Sequence, residues 1–170
     1  VNTVLNFYAN QLNLDYDDKG LIAQLGKLNQ YLFEELNALP FYSKSHPKSL
    51  GFEFVKETVL PLIEKHPISR ADKMHTFTIH IAFQIGKALS HKKAKLLITG
   101  GGAYNDFLIE EIQKQLPEME IIIPNKKILE YKEALIFALL GVLKLRGEMN
   151  VLSSVTGAKM NHSSGKIFIN

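Results

Sequence analysis

Three consecutive glycines, Gly100-Gly101-Gly102, follow the apolar run Ala94-Lys95-Leu96-Leu97-Ile98-Thr99 and precede Asn105. Glycine lets a backbone approach a ligand closely, and a helix beginning just after such a turn presents unpaired N–H groups to an anion. Phosphate or nucleotide binding is therefore the chemistry this spacing admits; a tight strand-to-helix turn without a ligand is the plain alternative. The segment is not the dinucleotide fingerprint G-x-G-x-x-G, because Asn105 stands where that pattern needs glycine, and no Gly-Lys-Ser or Gly-Lys-Thr follows to make a P-loop.

Other residues carry weaker signals. Lys48, in Pro47-Lys48-Ser49-Leu50-Gly51, could meet a phosphate or an adenine edge, or simply lie on the surface. Glu133 opens a strongly apolar stretch, where a carboxylate either stabilises the helix start or binds a ligand. His75 and His80 are five residues apart, a spacing that does not put two metal ligands on adjacent turns of one helix face, and with no cysteine to join them no metal site is expected. The Glu34-Glu35 and Glu110-Glu111 pairs read as solvated helix faces.

The elements that must position these residues follow from periodicity and punctuation. Two helices are expected in the first forty residues. The second starts near Asp17 or Asp18, ends before Pro40, and buries Leu21, Ile22, Leu25, Leu28, Leu32 and Leu36 on one face. A loop at 41–50 leads to a third helix from Gly51 that Pro61 kinks or divides. Ser69 and Asp72 have capping-box spacing before the periodic run Met74 to Leu89. The pattern then changes to a buried strand ending at Gly100, a helix capped by Asn105 and closed by Pro117, a second buried strand at Met119 to Ile123, and a helix from Glu130 to Arg146. That last helix is apolar nearly all round and expected to lie between other elements. In the Ser-, Gly- and Asn-rich tail only Lys166 to Ile169 reads as a strand. The expected class is α/β, helix-rich with a small sheet: a mainly helical part at 1–91, then a strand-helix-strand-helix part at 92–170.

The 170 residues are 46% apolar and 22% charged, the composition of a globular domain, and the formal charge is +3. The densest basic cluster, Lys92-Lys93-Lys95, is too small for a nucleic-acid face, and no apolar run reaches the length of a membrane span. Absence of cysteine fits a reducing, cytoplasmic setting. The chain opens on Val1, directly inside a helical pattern, as expected of a piece of a longer protein.

Taken in order, Leu97-Ile98-Thr99-Gly100-Gly101-Gly102-Ala103-Tyr104-Asn105, Lys132-Glu133-Ala134-Leu135-Ile136-Phe137-Ala138-Leu139-Leu140 and Ser154-Val155-Thr156-Gly157-Ala158 resemble the carboxy-terminal half of the anhydro-N-acetylmuramic acid kinases. Gly26-Lys27 in a helix, Pro47-Lys48-Ser49 with Gly51, and the helix holding Thr76 are similar to preceding segments of that family, so the match spans the chain. Leu50 departs from a common threonine, and Glu130-Tyr131-Lys132 from a common acidic or glycine-rich approach. The resemblance implies one lobe of an actin-like ATPase, ribonuclease H-like fold. It implies ATP and Mg2+ as cofactors and an anhydro amino sugar as substrate, with Gly100, Gly101, Gly102, Asn105 and Lys48 on the nucleotide and Glu133 on the sugar. The phosphate turns and the general base belong to a missing amino-terminal lobe, leaving no catalytic residue in this chain. Apolar surface left uncovered by that lobe makes a homodimer the other expected partner. A catalytically inactive nucleotide-binding module, or an acyl-phosphate-forming kinase of the same superfamily, are the competing readings.

Overall fold

The computed structural model describes residues 2–45, 48–89 and 94–168. Pro47, Lys92, Lys93 and Ile169 lie outside them. By compactness the chain divides into two units, Val1–Pro124 and Asn125–Asn170. The division at 91/92 expected from the pattern is one of secondary-structure character, which the compact units do not follow.

The first unit is organised around helix α7, Arg70–Ala88. Its start is the expected capping box: the Asp72 N–H donates to Ser69 Oγ at 3.1 Å. Met74, Phe77 and Ile81 recur at helical spacing and are buried with Val4, Leu5 and Tyr8 of α1 (Asn2–Asn10), Leu32 and Leu36 of α3 (Gln30–Asn37), and Phe107, Leu108 and Ile112 of α8 (Asp106–Gln115). Because neighbours surround α7, polar residues are buried too, and each is bonded. Thr76 Oγ1 accepts the Asn29 N–H at 2.9 Å, and Thr78 Oγ1 donates to the Met74 carbonyl at 2.9 Å.

The single helix expected from Asp17 to Pro40 is two. Helix α2, Leu21–Leu25, follows a 3-10 turn at Asp18–Gly20 and stops at Gly26, and α3 restarts with Asn29 as its cap, Oδ1 accepting from Leu32 N at 2.9 Å. The break is tertiary in origin. A Cβ on Gly26 would stand 2.2 Å from the Ala71 carbonyl oxygen, so the chain passes hard against the start of α7, where Asp72 Oδ1 accepts the Lys27 N–H at 2.7 Å. Gly26 and Lys27 are thus a linker rather than part of a helix. Leu21, Leu25 and Leu28 are exposed, Leu25 to 84%, against the continuous buried face expected. Asp17 does serve the N–H groups of α2, its two oxygens accepting from Ile22 and Ala23 at 2.8 and 3.0 Å.

Short helices α4 (Pro40–Ser43) and α5 (Phe52–Phe54) lead into a π-type turn at Val55–Val59 and α6 (Leu60–Glu64). Pro61 sits in the first turn of α6, where its missing N–H costs nothing, and the wider turn before it absorbs the strain.

Strands β1 (Lys95–Leu97) and β2 (Glu120–Ile122) pair in parallel, with Leu96 opposite Ile121, and α8 crosses between them. The result is an α/β unit with a two-stranded parallel sheet. Both strands were expected to be buried. Instead β1 alternates, Leu96 packing on the helices while Lys95 and Leu97 are exposed.

In the second unit, α9 runs Lys126–Leu145 and is capped by Asn125, whose Oδ1 accepts from Ile128 N at 3.1 Å. It therefore starts four residues before Glu130. None of its side chains is buried, and Phe137 is 71% exposed, so the expected burial between elements is not met by its own unit. The tail forms the short helix α10 (Ser153–Thr156) and an antiparallel bridge between Val151 and His162; residues 166–168 are not a strand.

Candidate functional site

The glycine turn stands where β1 ends. Gly100 has φ +83 and ψ −175, a backbone region that L side chains avoid, and a Cβ placed on it would meet nothing within 4 Å. The next residues, Gly101–Tyr104, form one 3-10 turn, whose leading N–H groups have no partner inside the turn. A Cβ on Gly102 would make only ordinary contacts, and one on Gly101 would meet only the Asn2 side-chain amide at 2.6 Å. The backbone here is open to a ligand on the outside and anchored on the inside by buried Ala103. Asn105 caps α8, its Oδ1 accepting from Leu108 N at 2.9 Å. That oxygen is thereby committed to the helix start.

An open cleft of about 740 Å³ adjoins the turn, with Asn2, Leu89, Leu97, Thr99, Gly102 and Leu108 among its walls. Among the described residues no charged side chain lines it. A ligand seated there would meet apolar walls, backbone N–H groups and the Asn2 amide, a combination that suits a flat heterocycle with a sugar or phosphate group at the glycine edge.

Lys48 is not part of this cleft. Its ammonium donates to the carbonyls of Tyr42 (3.1 Å) and Phe41 (3.4 Å) and lies 5.2 Å from the centre of the Phe41 ring, tying its own loop down. Beside it is a buried network: Tyr42 donates to His80 Nε2 at 2.8 Å, and His80 Nδ1 donates to Asn37 Oδ1 at 2.8 Å, which also receives the Gln84 amide. Burial lowers the His80 pKa to about 4, so the ring is neutral near pH 7. His75 Nδ1 bonds the Ala23 carbonyl at 2.9 Å. Glu133 lies in the second unit, exposed, two turns inside α9 rather than at its start, so stabilisation of the helix dipole does not explain it. Of the solvated pairs, Glu111 is instead largely buried and bound by Lys114.

The structure thus gathers Gly100, Gly101, Gly102 and Asn105, adds Asn2 and Gly20, and leaves Lys48 elsewhere. Asn2 carries no local signal for this role; only folding of α1 against α7 brings it to the turn. Gly20 follows two aspartates and a lysine and carries no local signal for this role either; its purpose is tertiary. With φ +76, a Cβ there would fall 2.2 Å from Asn105 Oδ1.

Residues 2–170 match the family model described as Anhydro-N-acetylmuramic acid kinase. Among similar proteins bearing that same description, one from Caldanaerobacter subterraneus subsp. tengcongensis is 31% identical over 166 residues, covering 91% of this chain and 42% of its own length. One from Sulfurovum sp. is 33% identical over 165 residues, with 95% and 45% covered. One from Saccharophagus degradans is 34% identical over 167 residues, with 94% and 45% covered. The chain spans less than half the length of these relatives.

Proposed function

We propose, from the premise that the chain belongs to the anhydro-N-acetylmuramic acid kinase family, that it is the carboxy-terminal, nucleotide-gripping part of such a kinase. Its fold is read as one lobe of an actin-like ATPase, ribonuclease H-like architecture, single from 1 to 170, with helices to residue 91 and the strand-bearing part after it. The observation that carries this reading is the Gly100-Gly101-Gly102 turn at the carboxyl end of β1, open on its outer side and bordered by an apolar cleft. In parallel α/β units that end of the strands is where ligands bind.

In this reading Gly100, Gly101 and Gly102 admit the adenosine and its nearest phosphate, and Asn105 holds the turn rather than the nucleotide. Lys48 steadies the neighbouring loop. Glu133, on the α9 helix, serves the sugar or orders the attacking water. The parent enzyme opens the 1,6-anhydro bridge with water and transfers the γ-phosphoryl group of ATP to the freed 6-oxygen, a reaction of cell-wall recycling in the cytoplasm. Among the described residues no cluster of three His, Asp or Glu could hold a metal, and none of the helices is long and apolar enough to cross a membrane. Mg2+ is assigned in this reading to carboxylates and phosphate oxygens outside this chain, as is the general base, on an amino-terminal lobe.

The test is Gly101→Val in the full-length protein. The valine side chain fills the space through which the backbone approaches the nucleotide, and the KM for ATP should rise roughly tenfold or more while the sugar KM stays put. Unchanged ATP dependence in a correctly folded variant removes the turn from the nucleotide site. Glu133→Gln in the same protein should lower kcat without changing stability; the reverse result makes Glu133 structural.

A further inference from the structure

The last turn of α1 carries a cluster of polar side chains that the nucleotide reading leaves unused. Tyr8 is fully buried, and its hydroxyl donates to Glu64 Oε1 of α6 at 2.7 Å. The same oxygen accepts from the Lys73 ammonium of α7 at 2.8 Å, and that ammonium lies 5.6 Å from the centre of the Tyr8 ring. The Lys73 side chain is only 9% exposed, and lysine is seldom buried unless it is paired. Hydrogen bonds from Lys73 and Tyr8 hold the Glu64 carboxyl below its usual range, and burial pushes the Tyr8 phenol up. Near pH 7 the carboxylate is therefore charged and the phenol keeps the proton it donates. Just past the end of α1, Gln11 Oε1 accepts from Arg70 Nε at 2.8 Å.

These bonds supply what the apolar contacts of α1 cannot. Val4, Leu5 and Ala9 are buried by apolar packing, which is non-directional and tolerates small slides and rotations of a helix. Hydrogen bonds weaken steeply with distance and angle, so one carboxylate oxygen shared by Tyr8 and Lys73 fixes where along its axis, and at what rotation, α1 sits. The helix carries that placement to its other end. Asn2 precedes Tyr8 by fewer than two turns, about 9 Å of rise. Its side-chain amide nitrogen stands 2.6 Å from where a Cβ on Gly101 would be, and its Oδ1 stands 3.8 Å from the corresponding point on Gly102. A misplacement on the order of 1 Å at such a group is enough to change how a ligand is held.

We propose that Tyr8, Glu64 and Lys73 are positioning residues for the nucleotide site: their shared bond sets α1 so that the Asn2 amide stands at Gly101 and helps to hold the nucleotide there. The inference rests on the nucleotide reading of the glycine turn and goes beyond it in naming what places Asn2. The three side chains touch neither the turn nor its cleft and act only through α1.

Variants of the full-length protein test it. Tyr8→Phe removes one oxygen and keeps the buried ring; Lys73→Met removes the charge and keeps most of the stem. Each should raise the KM for ATP about fivefold, roughly the worth of one neutral hydrogen bond, with a smaller change in kcat. Asn2→Ala should do the same, and adding Tyr8→Phe to it should make matters no worse, because the tyrosine acts through the asparagine. Additive effects overturn the proposal. So does a lowered melting temperature with an unchanged ATP KM in both Tyr8→Phe and Lys73→Met, which would make the cluster structural only. Amide spectra of the nucleotide-free protein give a readout independent of ATP: the Asn2 side-chain and Gly101 backbone resonances should move in both variants, and resonances that stay in place sink the proposal. Gly101→Val separates premise from inference. If it raises the ATP KM and Tyr8→Phe does not, the anchor alone fails; if neither does, the nucleotide reading of the turn fails with it.

Discussion

At Gly20 a single missing methyl group sets the geometry of the glycine turn. The residue lies in the left-handed region, and its bare Cα lets the loop before α2 press on Asn105 and Phe107; a Cβ would fall 2.2 Å from the first and 2.9 Å from the second. Gly20→Ala should therefore destabilise the protein by more than about 1 kcal/mol, through backbone strain and displacement of the Asn105 cap. Asn105→Ala should cost roughly 1 kcal/mol for loss of the bond to Leu108 N. Because the two substitutions damage the same contact, urea unfolding of the double variant should show less than the sum of the singles; strict additivity would separate Gly20 from the cap. His80 makes a pH prediction. Its folded pKa is depressed to about 4 by burial, against 6.5 when unfolded, so the unfolded chain binds the extra proton first as pH falls. Stability is then full above pH 6.5 and declines towards pH 4, by roughly 3 kcal/mol if the whole shift is expressed. The carboxylates of Glu64 and Asp72, held low by hydrogen bonds from Lys73 and Ser69 respectively, add their losses only at still lower pH. Denaturant unfolding at pH 7.5 and 5 should show the decline in the native protein and little of it in His80→Asn.

Elements were legible where their signals are local. The Ser69 cap, the Asn105 cap, the stop before Pro117 and the strand before Gly100 follow from hydroxyl, amide, proline and glycine chemistry acting within a few residues. The Asp72 carboxylate serves two elements at once, taking hydrogen bonds from Ser69 at the start of α7 and accepting the Lys27 N–H that fixes the break between α2 and α3. Asp72→Ala should accordingly destabilise more than Ser69→Ala, which is expected to cost about 1 kcal/mol. Thermal unfolding of the two variants decides this, and equal losses would mean that the Lys27 bond contributes nothing. The break itself was not legible, because the apolar spacing of Leu21, Leu25, Leu28 and Leu32 continues through Gly26 and one glycine does not by itself stop a helix. The start of α9 was missed for a similar reason: Asn125, directly after Pro124, is a cap whose helix opens with two lysines, and the apolar pattern becomes dense only later.

For the molecule as a whole, the separation of compact units after Pro124 and the exposed apolar side chains of α9 fit a chain that is part of a larger assembly. The 170-residue chain alone should not phosphorylate an anhydro amino sugar. Among the described residues no carboxylate lines the cleft beside the glycine turn, and phosphoryl transfer depends on positioning and charge neutralisation that one wall of a cleft cannot supply. A coupled ADP-release assay run beside the full-length protein checks this, and sugar-dependent turnover near the full-length rate would place the catalytic apparatus within these residues. The sequence by itself determined the Ser69 and Asn105 caps, the glycine turn and the ordered motifs that mark the family, because each depends on residues close together in the chain. Only the tertiary structure decided that Gly26 interrupts a helix, that Gly20 and Asn2 converge on the turn, and that Lys48 is bound by its own loop. Each of these is fixed by which distant backbone atoms come within van der Waals or hydrogen-bond reach, and periodicity along a chain carries no record of that.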